Sequence, residues 1–310
     1  MEKRCARVFL GYYILPVLLI APANTLAQTT QTPSVKTLSL GVVFQGETAA
    51  VAEHFRPLVE YAARKLAAAG ELKSSVVVAA SASQLMQLLE QKRIEFYFES
   101  PFPTYIINRS GLARLILRRW KSAMSEYRGV IFASTAAGLS RLEALRGKMI
   151  AFEDAGSTSG YFLPKLLLIE RGFLVAEKPG LDAKISAREI GYVFAGTEKN
   201  VVKLVLEKKV AAGAISSDDY GSLEQTSKAG LNVLVESGSL PRHLVSVRRS
   251  LSDAISNRLR QILLGMDQDD EGRKILRATD NTTKFDSLPG GEEEFRRKLI
   301  ELYRPRGRAK

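Results

Sequence analysis

The chain has 310 residues and an excess of basic over acidic side chains, 45 Lys and Arg against 33 Asp and Glu, for a formal charge of +12. Its single cysteine, Cys5, excludes an internal disulfide, a thiolate metal site and, once an N-terminal leader is removed, a cysteine nucleophile. The basic residues are spread over the chain rather than interleaved with aromatic ones, which argues against a nucleic-acid module.

Residues 1–27 read as an export signal. Lys3, Arg4 and Arg7 form the basic head, Val8 to Ile20 the apolar middle, and Thr25-Leu26-Ala27 a small-residue cleavage site. Cys5 precedes the apolar run, so it is not a lipidation cysteine. A polar linker continues to about residue 36. Leu38–Phe44 reads as a buried strand, Ala49–Ala69 as a helix that Pro57 either kinks or begins, Ser75–Ala80 as a strand, Ser83–Gln91 as a helix and Ile94–Phe98 as a strand. This βαβαβ run implies a parallel sheet with helices on both faces. Pro101–Ser110 reads as a loop leading into a helix.

A second alternation begins at the β-like Arg128–Ser134. A short helix at Ser140–Leu145 takes Ser140 as its cap. The strand Met149–Phe152 leads to a helix, Ser159–Arg171, stopped by Gly172. Ala187–Phe194, Ala212–Ser216 and Leu231–Glu236 read as strands, with a helix at Glu198–Lys208. His243–Val247 is a return strand, and Asp253–Met266, Glu271–Leu276 and Glu292–Leu302 are helical. The pattern divides into a first lobe at 37–128, a second at 129–242, a return to the first at 243–303 and a basic tail at 304–310. Ligands in such open sheets bind beyond the carboxyl ends of the strands.

Two of those loops stand out. In Glu153-Asp154-Ala155-Gly156-Ser157-Thr158-Ser159-Gly160, three hydroxyls sit where a helix begins with unpaired N–H groups. That arrangement suits an oxyanion, although a single hydroxyl suffices for an ordinary helix cap. In Phe98-Glu99-Ser100-Pro101-Phe102-Pro103-Thr104-Tyr105, hydroxyl donors mix with aromatic walls, as in a small-ligand pocket or a proline-rich turn. Thr197 reads as a helix cap. Glu153-Asp154 and Asp218-Asp219 read as solvated loop charges, and His54 and His243 as surface or strand-end residues. A nucleophile elbow would need serine at Thr158, a phosphate-binding P-loop would need more than Gly147-Lys148-Met149, and the histidine spacing supports no metal site.

These residues together resemble the phosphate/phosphite/phosphonate ABC-transporter substrate-binding proteins. The likeness rests on the Gly-Ser-Thr-Ser-Gly loop with Pro164, on Phe55-Arg56-Pro57-Leu58, on Glu95–Tyr105, on Gly196–Ser217, and on Glu271-Gly272-Arg273 with Phe285-Asp286. It implies an α/β fold of the second periplasmic-binding type, two lobes joined by crossing hinge strands. It implies a monomeric, non-enzymatic periplasmic protein without cofactor, which passes a phosphorus oxyanion to a membrane permease. The anion would lie on Ser157, Thr158 and Ser159, with Tyr105 reaching from the facing lobe and Phe44 and Gln45 completing the first lobe's side; no arginine is required. Ser100, Glu99, Thr197 and Ser217 would border the cleft. Glu198 stands where relatives often carry histidine, and Glu99 where they carry a smaller residue, so either carboxylate would shape the choice of ligand. A different small solute, a sensor for a membrane kinase and an exported enzyme are the alternatives.

Overall fold

A computed structural model of the chain describes residues 36–44, 47–67 and 71–303. The leader, most of the linker, Gln45 and the basic tail lie outside these residues. Two six-stranded sheets carry the fold, in the orders β14-β4-β13-β3-β1-β2 and β11-β6-β10-β7-β9-β8.

The first sheet is laid down by β1 (Thr37–Val43), α1 (Thr48–Leu66), β2 (Lys73–Ala79), α2 (Ala82–Glu90) and β3 (Phe96–Glu99). β1 pairs in parallel with both β2 and β3, as alternating strands and crossover helices require. Pro57 interrupts nothing. It lies on the exposed side of α1, where a missing N–H is least disruptive, while Phe55, Leu58, Val59 and Ala62 face the core. The segment after β3 is a helix rather than a loop: α3 (Pro101–Arg109) has its prolines in the first turn, where backbone donors have no helical partner.

β4 (Ala113–Lys121) is not legible as a strand in the sequence, because Arg118 and Arg119 stand in its middle. Both are buried at a cost that pairing offsets. Arg118 makes a two-pronged contact with Asp286, and Arg119 reaches Asp280 at 3.0 Å while lying over the rings of Phe55 and Phe98. Asp286 closes β14 (Thr282–Asp286), a strand added at the edge beside β4.

From β4 the chain enters β5 (Glu126–Tyr127), then β6 (Gly129–Ser134) of the second sheet. That sheet continues with β7 (Met149–Phe152), α4 (Leu163–Glu170), β8 (Leu174–Glu177), β9 (Glu189–Phe194), α5 (Glu198–Leu206), β10 (Ala212–Ser216), the short helices α6 (Ser217–Ser222) and α7 (Gln225–Ala229), and β11 (Leu231–Glu236). A 3-10 turn at Leu142–Leu145 replaces the helix expected there, and Arg141, not Ser140, stands at its cap position. The return runs through β12 (Leu240–Pro241), which pairs antiparallel with β5, into β13 (His243–Arg248) of the first sheet. The β5·β12 ribbon therefore carries both crossings. In each sheet the strand that has just crossed, β6 or β13, runs antiparallel to its central neighbour.

Helices α8 (Asp253–Leu264), α9 (Asp270–Ala278) and α10 (Gly291–Tyr303) complete the first sheet's cover. Apolar clusters lie on both faces of each sheet. Among the described residues no helix is long and apolar enough to cross a membrane.

Candidate functional site

The turn after β7 is built from its own side chains. Asp154 accepts from the Gly156 N–H at 2.7 Å, closing an Asx turn. Ser157 accepts from the Gly160 N–H at 2.9 Å and donates to Glu153 at 2.9 Å. Ser157 is therefore the helix cap. The chain then makes a single π-helical turn, Thr158–Phe162, before α4 begins. Pro164 explains it: lacking an N–H, it has nothing to give the Gly160 carbonyl, which accepts from the Glu153 N–H at 3.1 Å instead.

The π turn presents Thr158 and Ser159, both buried, to the ribbon and to the first sheet. Thr158 Oγ1 accepts from the Phe102 N–H at 2.9 Å and lies 3.0 Å from Ser100 Oγ, to which it donates. The Tyr127 hydroxyl meets the side chains of Thr158 and Ser159, and burial holds its pKa up at about 12. So the two sheets and the ribbon converge on one hydroxyl cluster formed by Ser100, Tyr127, Thr158 and Ser159.

Carboxyl groups surround this cluster. Glu99 accepts from the Ser100 N–H at 2.9 Å; burial pushes its carboxyl up to about 8, with the charge of Asp154 acting in the same sense. Burial likewise pushes Glu153 up to about 7, against the hydrogen bond from Ser157 and helped by the charges of Asp154, Asp219 and Glu198. Asp219 is raised by burial too, and Ser216 donates to it at 2.5 Å. Asp218 pairs with the buried Arg242, whose guanidinium lies 5.2 Å from the centre of the Tyr127 ring. The pairs Glu153-Asp154 and Asp218-Asp219 are thus structural and partly buried, not solvated loop charges. His243 opens β13 with its Nδ1 buried, and burial lowers its pKa well below the usual imidazole value, the charges of Arg119, Arg242 and Lys121 adding to the effect. His54 is an exposed residue of α1.

The other expected residues fall in several places. Glu198 is close enough for its charge to raise Glu153 and Asp219. Thr197 is exposed and caps α5 through the Asn200 N–H. Ser217 accepts from the Arg128 N–H at 3.1 Å, beside the ribbon. Phe44 is exposed at the end of β1. Tyr105, like Phe102, Phe162 and Leu302, packs against the buried cluster of Leu115, Leu244, Leu288, Phe295 and Leu299 next to α10, its ring beneath Arg109. Tyr127 and Arg242 carry no signal in the sequence. They sit on the two short crossing segments, and only their pairing across the ribbon distinguishes them. Among the described residues no group of three or more His, Cys, Asp or Glu side chains is arranged to hold a metal ion.

Hydroxyls are hydrogen-bond donors, and the cluster of Ser100, Tyr127, Thr158 and Ser159 suits a small oxyanion held without bond chemistry. Comparison with known proteins identifies the family. The sequence matches the family model described as ABC transporter, phosphonate, periplasmic substrate-binding protein over residues 40–288. Among solved structures, XAC2383 from Xanthomonas citri bound to chloride ion superposes with a TM-score of 0.81 at 24% identity, covering 86% of this chain and 97% of that one. The same protein bound to ATP gives 0.80 at 23% identity, with 86% and 97% covered. PhnD1 from Prochlorococcus marinus in complex with methylphosphonate gives 0.64 at 14% identity, again with 86% and 97% covered. The shared architecture is the type II periplasmic-binding fold.

Proposed function

Because the chain belongs to the periplasmic substrate-binding proteins of phosphonate ABC transporters, a family of transporter components and not of enzymes, we propose that it binds a phosphonate- or phosphate-like oxyanion between its two sheets. It then delivers that anion to the permease of an importer. The observation that carries this reading is the contact of Thr158 with Ser100 and the Phe102 N–H, since one hydroxyl beside the second sheet accepts from the Phe102 N–H and donates to Ser100 Oγ beside the first. An oxyanion at this junction draws on donors from both sides, so its binding favours closure about the β5·β12 ribbon. Hydroxyl donors make the interaction directional, and their burial excludes water, which strengthens each bond. The protein acts as an exported monomer on this reading.

The test is calorimetric titration and thermal shift of the protein without its leader against methylphosphonate, phosphate, phosphite, sulfate and ATP. ATP is included because XAC2383 was captured with it. A ligand at about one hundred times its dissociation constant adds about 2.7 kcal/mol of stability. A phosphorus oxyanion of small size is expected to stabilise most. Stabilisation by sulfate or ATP alone, or by none of the five, overturns the reading. Gel filtration reports the oligomeric state, and fractionation of expressing cells reports export.

A further inference from the structure

We infer that Arg242 supplies the positive charge that lets this cleft hold a doubly charged oxyanion, and that Asp218 competes with the ligand for it. The inference rests on the oxyanion reading above and goes beyond it by naming the ion pair that sets the ligand's charge.

Arg242 lies between β12 and β13, in the ribbon that joins the sheets, and is only 6% exposed. Its main chain is fixed there by the bond from its N–H to the Ser125 carbonyl at 2.9 Å. The guanidinium covers one face of Tyr127, the tyrosine whose hydroxyl meets Thr158 and Ser159, so the charge is one ring's width from the hydroxyl cluster. Asp218, its ion-pair partner, comes from α6 in the second sheet's cover.

This pair is incompletely satisfied. Arg242 Nε and Asp218 Oδ1 are both buried without a hydrogen-bond partner among the described residues. A guanidinium carries five N–H donors and a carboxylate accepts at both oxygens, so each group is buried with capacity to spare. Leaving such groups unpaired is unfavourable, and a second anion beside Arg242 would remove part of that penalty. Elsewhere in the molecule buried arginines are better supplied: Arg118 has both prongs on Asp286, and Arg119 bonds to Thr282, the Thr279 carbonyl and Asp280. Arg242 alone among these three combines burial, a free donor and a place next to the hydroxyl cluster.

Charge balance gives the pair its role. Hydroxyls hold a single negative charge by hydrogen bonding, but they offer no net positive charge to a second one. Arg242 does, to the extent that it turns from Asp218 toward the ligand. Asp218 thus lowers the affinity for every anion, and most for the doubly charged form.

Methylphosphonate and inorganic phosphate are titrated calorimetrically into wild type, Arg242→Gln and Asp218→Asn at pH 8, with thermal unfolding of each free protein as the folding control. Arg242→Gln is expected to lose at least tenfold in affinity and to show a weaker dependence on ionic strength. Asp218→Asn is expected to bind several-fold tighter than wild type, the opposite direction from a residue that merely supports the fold. If Arg242→Gln does not fold, Asp218→Asn decides. Equal affinity in Arg242→Gln, or weaker binding in a folded Asp218→Asn, overturns this inference while leaving the oxyanion reading intact. Failure of wild type to bind either ligand overturns both.

Discussion

Phe102 and Phe162 stack with ring centroids 4.7 Å apart and planes only 18° from parallel, and they come from opposite sheets. Phe102 belongs to α3, while Phe162 ends the π turn that carries Thr158 and Ser159. Both rings pack against the apolar cluster of Leu115, Leu244, Leu288, Phe295 and Leu299, to which α10 contributes the last two. The closure proposed above would thereby gain an apolar contribution independent of ligand.

Phe162→Ala removes that contribution. An aromatic pair is worth about 0.5–1.5 kcal/mol beyond its buried area, so oxyanion affinity is expected to fall by roughly threefold to tenfold. Small-angle scattering of the free protein should report a larger radius of gyration than wild type, converging on the wild-type value when ligand is saturating. An unchanged radius and affinity would show that the stack does not bear on closure.

Thr158→Val keeps the shape and removes the hydroxyl. A hydrogen bond to a charged group contributes about 1.5–3 kcal/mol, so the loss in affinity should reach about tenfold to a hundredfold. The variant also deprives the Phe102 N–H of its acceptor, and a modest drop in melting temperature is expected alongside. Binding within twofold of wild type would remove Thr158 from the site.

Glu99 and Glu153 make stability fall as the solution becomes more basic. Both carboxyls titrate higher in the folded chain, at about 8 and about 7, than the ordinary carboxylate value. The folded state therefore binds more protons than the unfolded chain between the ordinary value and pH 8. Their stabilisation is complete below the unfolded pKa and is lost as pH rises through the folded one. The melting temperature is expected to decline between pH 5 and pH 8, each group contributing at most about 1.4 kcal/mol per pH unit. Glu99→Gln should flatten the upper part of that decline. It should also flatten the fall in oxyanion affinity above pH 7, measured as a ratio to wild type so that the ligand's own ionisation cancels. A decline identical in the variant would assign it to other groups.

Gly129 is the first residue of β6 and packs against the π turn. A Cβ there would stand 2.5 Å from the Ser159 carbonyl oxygen and 2.8 Å from the Pro164 ring. Backbone and proline ring have little freedom to yield, so Gly129→Ala is expected to cost about 1–3 kcal/mol and to weaken oxyanion binding with it. Gly213→Ala is the control. Its new methyl also meets close neighbours, but they are side-chain ends, the Val201 Cγ1 at 2.5 Å and the Val205 Cγ2 at 2.9 Å. Loss of stability without loss of affinity is expected there. If Gly129→Ala loses no more affinity than Gly213→Ala, the packing of β6 on the turn is not what positions Ser159.

Most of the frame is legible in the sequence because local rules act there. The strands Met149–Phe152, Ala212–Ser216 and Leu231–Glu236 coincide with β7, β10 and β11, since short buried apolar runs between turn residues leave little else to form. β4, β8 and β14 are not legible. β4 owes its burial to Asp286 and Asp280, acids more than 160 residues further along the chain, and no local pattern announces a pairing at that distance. The start of α3 reads as a loop, because two prolines hide a helix start that they in fact favour.

By itself, the sequence determined that hydroxyls would gather at a strand-to-helix turn, because Asp154, Gly156, Ser157 and Pro164 act over a few residues of backbone. Only the tertiary structure decided how those hydroxyls are divided. Ser157 is used up as the cap and as donor to Glu153, while Thr158 and Ser159 face Tyr127 and Ser100. The same long-range packing decided that Glu99 and Glu153 are buried and titrate high, and that Arg242, beside the ribbon, meets Asp218 of α6. Desolvation and charge pairing depend on what surrounds a group in space, and those surroundings come from both sheets and from the ribbon between them.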